Sequence, residues 1–120
     1  MLQINYKYND LEEAKALTPV MDGKLQPVLQ KYVDDGASVL CEVEFEKVAN
    51  HQSGNIYRAE INTTIDGTLH RAEAVEVSFE KAIDEVRNEL DKELRRAKGK
   101  QQSILKRAGR KLKETILRSS

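Results

Sequence analysis

The chain has 120 residues, 39% hydrophobic and 33% charged, with 20 Lys or Arg balanced by 20 Asp or Glu. One domain of this length buries roughly two-thirds of the surface its unfolded form exposes, so neither disulfides nor a structural metal is needed. The few Gly (6) and Pro (2) exclude disorder throughout, and no apolar run approaches the ~20 residues that cross a bilayer.

The opening LQINYKY alternates, with Leu2, Ile4, Tyr6 and Tyr8 on one side, and period two predicts a half-buried strand. YNDLEEAKAL is polar and reads as a connection. In TPVMDGKLQPVLQKYV, Thr18 is positioned to cap a helix and Pro19 to occupy its first turn. Met21, Leu25, Val28, Leu29 and Tyr32 then recur at helical spacing. Gly23 and Pro27 argue against a regular helix, so a kink near Pro27 or two short pieces are expected.

DDG at Asp34 ends that segment. ASVLCEVEFEKV follows, with Val39, Cys41, Val43 and Phe45 inward and Glu42, Glu44 and Glu46 outward, a strand covered on one face. NIYRAEINTTI repeats the alternation through Tyr57, Ala59, Ile61, Thr63 and Ile65, after a hairpin loop ANHQSGN. Asp66-Gly67 suits a type I′ turn, where both central residues take positive φ. The strand after it, TLHRAEAVEV, alternates poorly, and its facing stays open. SFEKAIDEVRNELDKELRRAK is a helix capped by Ser78, with a stripe of Phe79, Ala82, Ile83, Val86, Leu90 and Leu94 and a stop expected at Gly99. SILKRAGRKLKETIL is expected as a further amphipathic basic helix, with Ile104, Leu105, Ala108, Leu112 and Ile116 on one face. The order β-α-β-β-β-α predicts an α+β fold: a four-stranded mixed sheet with two helices on one face, plus a basic C-terminal tail. Residues 1–98 are expected as the domain and 99–120 as the tail.

Neutrality conceals a split. Residues 1–91 hold 9 Lys or Arg against 18 Asp or Glu, and residues 92–120 hold 11 against 2. Such asymmetry points to a polyanionic partner for the basic end. Lys92, Arg95 and Arg96 stand at i, i+3 and i+4 on one helix face, followed by Lys98 and Lys100. A helix macrodipole favours cations only in its last turn, so it leaves Lys106, Arg107, Arg110 and Lys111 unexplained. Phosphate binding accounts for both groups. No recognition helix suits B-form DNA, so folded RNA is the expected partner, with no DNA and no membrane. A general double-stranded RNA-binding module is the alternative. A membrane-surface protein using the tail is a weaker one, because the tail has no Trp or Phe anchor.

Enzyme chemistry, a cofactor, a small-molecule substrate and a metal are not expected. His51 and His70 lack zinc-site spacing, Cys41 falls on an apolar strand face, and the glycines form no phosphate loop. MLQINYKYND has no secretory pattern, and a cytoplasmic location is expected.

SGNIYRAEINTTIDGTLHRAEA followed by KAIDEVRNELDKELRRAKGK resembles the ribosome hibernation-promoting factor family, also described as ribosome-associated inhibitors. The likeness covers roughly residues 1–100. It implies binding to the small ribosomal subunit and its rRNA, occupation of the tRNA/mRNA channel, and inhibition of translation in idle cells under stress. It also implies rRNA contacts by Lys92, Arg95, Arg96, Lys98 and Lys100, shared by Lys24 and Lys31 of the first helix and by Arg71. VSFE at Val77 replaces the acidic pair and Met-Tyr usual in the family, although Phe79 can still fill the core. The chain looks like a short form without the C-terminal dimerisation domain of long members, and is expected to be a monomer when free.

Overall fold

The computed structural model describes residues 1–9, 12–49 and 54–118. Its elements are β1 (Leu2–Lys7), α1 (Glu12–Lys15), α2 (Thr18–Asp34), β2 (Val39–Lys47), β3 (Tyr57–Ile65), β4 (Thr68–Glu76) and α3 (Phe79–Arg118). The sheet runs β1-β2-β3-β4. β1 and β2 are parallel, as the helical crossover between them requires, and the other pairs are antiparallel.

Alternation sets the faces. Val39, Cys41, Val43 and Phe45 of β2 and Ala59, Ile61 and Thr63 of β3 are buried against α2 and α3. Met21, Leu25, Val28 and Leu29 meet them from α2, and Phe79, Ala82, Ile83, Val86, Leu90 and Leu94 from α3. The facing of β4 is settled by Ala72 and Ala74, which are buried and small enough for α3 to lie close across the strand. Phe79 stands edge-on to Phe45 at 5.7 Å and to Tyr57 at 4.8 Å, so the core tolerates VSFE at the start of α3.

Three terminal signals hold. Ser78 Oγ accepts the N–H of Lys81 at 3.2 Å and caps α3. At the end of α2, Ala37 N–H donates to the Tyr32 carbonyl and Gly36 N–H to that of Val33, with Gly36 at φ 95°, a Schellman closure. Asp66 and Gly67 take φ 48° and 85°, giving the two-residue turn between β3 and β4.

Three expectations change. YNDLEEAKAL includes the short helix α1, and the N-cap of α2 is Leu17 rather than Thr18, whose hydroxyl instead pairs with that of Tyr8. Of the two alternatives at Pro27 the single helix is the one formed: α2 runs over Gly23 and Pro27, because four buried side chains outweigh one missing backbone hydrogen bond. Gly99 does not stop α3, which runs for 40 residues. Its φ is not positive, so it continues the helix instead of turning it. The hairpin loop with His51 lies largely outside the described residues.

A 40-residue helix is about 60 Å long. The molecule is accordingly 72 × 28 × 19 Å, with a radius of gyration of 18.9 Å against roughly 14 Å for a compact chain of this length. From Gly99 onward α3 is an arm.

Candidate nucleic-acid interface

The sheet places acid and base on different surfaces. On its open face Glu44 lies opposite Glu60, and Glu60 opposite Glu73. Arg58 reaches all of them: its guanidinium lies 3.1 Å from Glu44 and from Glu46, 3.2 Å from Glu73, and against Glu60. Burial alone would lower the Arg58 pKa, but the hydrogen bonds it donates to Glu73 and Glu44 and the charge of Glu60 raise it. This face repels polyanions.

The cations lie mainly on the helices. Lys92, Arg95 and Arg96 are about three-quarters exposed, and each meets an acid one turn earlier: Glu89 at 3.5 Å, Asp91 at 3.1 Å and Glu93 respectively. Lys92 and Arg96 line a cleft of about 340 Å³ at the β4 edge together with Arg71, which sits 3.4 Å from Glu60. Arg95, paired with Asp91, does not line that cleft. Lys24 of α2 is held 2.6 Å from Asp84 of α3, and Lys31 lies over the ring of Tyr32 at 5.9 Å. Lys98, Lys100, Lys106 and Arg107 are exposed and have no ion-pair partner among the described residues. Arg110 and Lys111 lie on the helical arm, but their side chains fall outside the described residues.

Sequence reasoning missed the acids that hold these cations. Glu89, Asp91 and Glu93 were legible as i−3 or i−4 partners. Asp84, across a helix–helix contact, was not. Such pairs are weak at the surface, so a phosphate can displace them at small cost.

Of the residues considered for chemistry, Cys41 lies in the core and His70 beside α3. Burial pushes the Cys41 thiol up to about 11, although the Thr63 hydroxyl, 3.5 Å away, opposes the shift. His70 Nδ1 lies 3.9 Å from Glu93. Among the described residues no group of three or more His, Cys, Asp or Glu could hold a metal ion, and no helix is long and apolar enough to cross a membrane.

The chain is thus a small α+β domain with carboxylates gathered on one sheet face and cations on its helices. The sequence profile of the sigma 54 modulation protein / S30EA ribosomal protein family matches residues 4–102, and the chain belongs to that family, which includes the hibernation-promoting factors. The fold is shared with the N-terminal domain of Protein Y from Thermus thermophilus, at 24% identity and a TM-score of 0.58 over 79% of this chain and 93% of that one. It is also shared with a ribosomal subunit interface protein from Coxiella burnetii, at 18% identity and a TM-score of 0.64 over 81% and 98%. Comparison with curated protein sequences gives no match.

Proposed function

We propose that this protein is a non-catalytic, cytoplasmic ribosome hibernation factor. It binds the small subunit through rRNA phosphates and blocks the tRNA/mRNA channel by bulk, inhibiting translation in idle cells. Residues 1–98 act as the ribosome-binding domain and 99–120 as an additional cationic arm. The observation that carries the reading is the continuity of exposed cations from Lys92 through Arg107 along one helix, opposite a sheet face knitted by carboxylates. Lys24, Lys31 and Arg71 add contacts from α2 and β4, and Arg110 and Lys111 extend the track. Like-charge repulsion turns the sheet away from RNA and orients the approach.

Co-sedimentation with purified small subunits through a sucrose gradient tests this. The full chain is expected to travel with the subunit at low salt and the Lys92→Gln/Arg95→Gln/Arg96→Gln variant to stay at the top. Free migration of the native chain in dilute buffer would refute the proposal. Binding to any naked RNA duplex with equal affinity would instead favour a general double-stranded RNA-binding module.

A further inference from the structure

A groove of about 830 Å³ runs between the C-terminus of α2, the β3–β4 turn and the middle of α3. Its apolar lining includes Tyr32, Ile65, Leu94, Ala97, Ile104 and Leu105. Ile104 and Leu105 are 57% and 64% exposed, an uncommon cost on a chain otherwise rich in charge. Asp35 and Asp66 border the groove, and Asp34 precedes them. Asp34 and Asp35 stand at the C-terminus of α2, the end where the helix dipole is already negative. The groove therefore asks for an apolar stripe flanked by cations.

The chain itself supplies that pattern. On the arm, positions 104, 105, 108, 112 and 116 are Ile, Leu, Ala, Leu and Ile at helical spacing, interleaved with Lys106, Arg107, Arg110, Lys111 and Lys113. The arm is continuous with α3 and points away from its own domain, so it cannot fold back into its own groove while helical. A second copy can reach it.

We propose that two copies pair antiparallel, each laying its arm into the groove of the other, with the two-fold axis at Leu105. In that register Leu105 meets its own counterpart, Leu94 lies opposite position 116, and Lys98 opposite position 112. The stripe is thus complementary to itself, as an isologous contact demands. The cationic arm of one copy comes beside Asp35 and Asp66 of the other. Lys98 and Lys100 also border the groove, so the apolar seam carries the pairing and the carboxylates offset the arm's charge. This free dimer replaces the monomer expected from the sequence and keeps the arm covered until RNA competes for it. The inference does not depend on the rRNA reading.

Light scattering on the nuclease-treated full chain at about 100 µM reads mass independently of its elongated shape. A mass near twice 13.6 kDa is expected, falling to 13.6 kDa for Leu105→Glu with an unchanged helical spectrum, since Leu105 is exposed. Asp35→Lys is expected to weaken the dimer, and Leu105→Cys to form an intermolecular disulfide under mild oxidation. The dimer is expected to persist at about 0.5 M salt, where exposed charge contacts are screened. A native chain of 13.6 kDa, or a dimer indifferent to Leu105→Glu, overturns the proposal. So does arm protection seen only after small subunits are added.

Discussion

Lys24 of α2 and Asp84 of α3 are joined at 2.6 Å across the contact between the two helices. Both side chains are partly exposed, at 39% and 62%, so the pair adds little stability, but under the proposed function it occupies a cation that rRNA would otherwise compete for.

Releasing Lys24 should therefore strengthen binding. Asp84→Asn is expected to tighten small-subunit binding by roughly 2–5-fold, the equivalent of about 0.5–1 kcal/mol, with a comparably small loss of stability. Lys24→Gln should cost less affinity than Lys92→Gln. Binding isotherms and thermal melts measure both.

Arg58 holds the open face of the sheet. Arg58→Met leaves Glu44, Glu46, Glu60 and Glu73 without their shared counter-charge and should destabilise by roughly 1–3 kcal/mol. Salt screens repulsion among the carboxylates, so the gap between variant and native melting temperatures should narrow as ionic strength rises. A gap that stays constant with salt would show that the loss is one of packing.

Charge neutralisation separates binding from folding. Lys92→Gln/Arg95→Gln/Arg96→Gln should abolish subunit binding and leave the melting temperature nearly unchanged. Reversal to Glu is the poorer experiment, because it sets like charges one turn from Glu89, Asp91 and Glu93. With about 6 phosphate contacts, log K should fall against log salt with a slope of roughly −4 on the single-strand coefficient.

Gly99 weakens the arm without being needed by it. A Cβ there meets nothing within 4 Å, so Gly99→Ala should stabilise the helix locally by about 0.5–1 kcal/mol. Slower amide exchange from residue 95 to 105 would register this. Gly99→Pro should raise exchange in the same segment.

Alkaline pH should destabilise the fold. Burial pushes Cys41 from 9.0 to about 11, and burial with the Asp22 hydrogen bond holds the Tyr6 phenol above its ordinary value. Both groups stay protonated when folded, whereas the unfolded chain releases their protons first. Stability should thus be flat near pH 7–8 and fall as pH rises through about 9 to 11, by on the order of 2–3 kcal/mol for Cys41 alone. Cys41→Ala should show a shallower decline in melting temperature between pH 8 and 10.5.

Local rules carried most of the architecture. Alternation in ASVLCEVEFEKV and NIYRAEINTTI named the inward residues, Asp66-Gly67 the turn, Ser78 the cap and the Phe79-to-Leu94 stripe the buried face of α3, because each depends on neighbours within a few positions. The cationic end of α3 was legible for the same reason. Only the folded chain decided the facing of β4, since small alanines carry weak periodicity and α3 selects the side. It also decided that Pro27 and Gly99 lie within helices, where burial or flanking helix formers outweigh a single unfavourable residue. Lys24–Asp84, the four-carboxylate cage of Arg58 and the groove beneath Ile104 and Leu105 join residues far apart in the chain. Their geometry follows from how the layers pack, which no local spacing encodes.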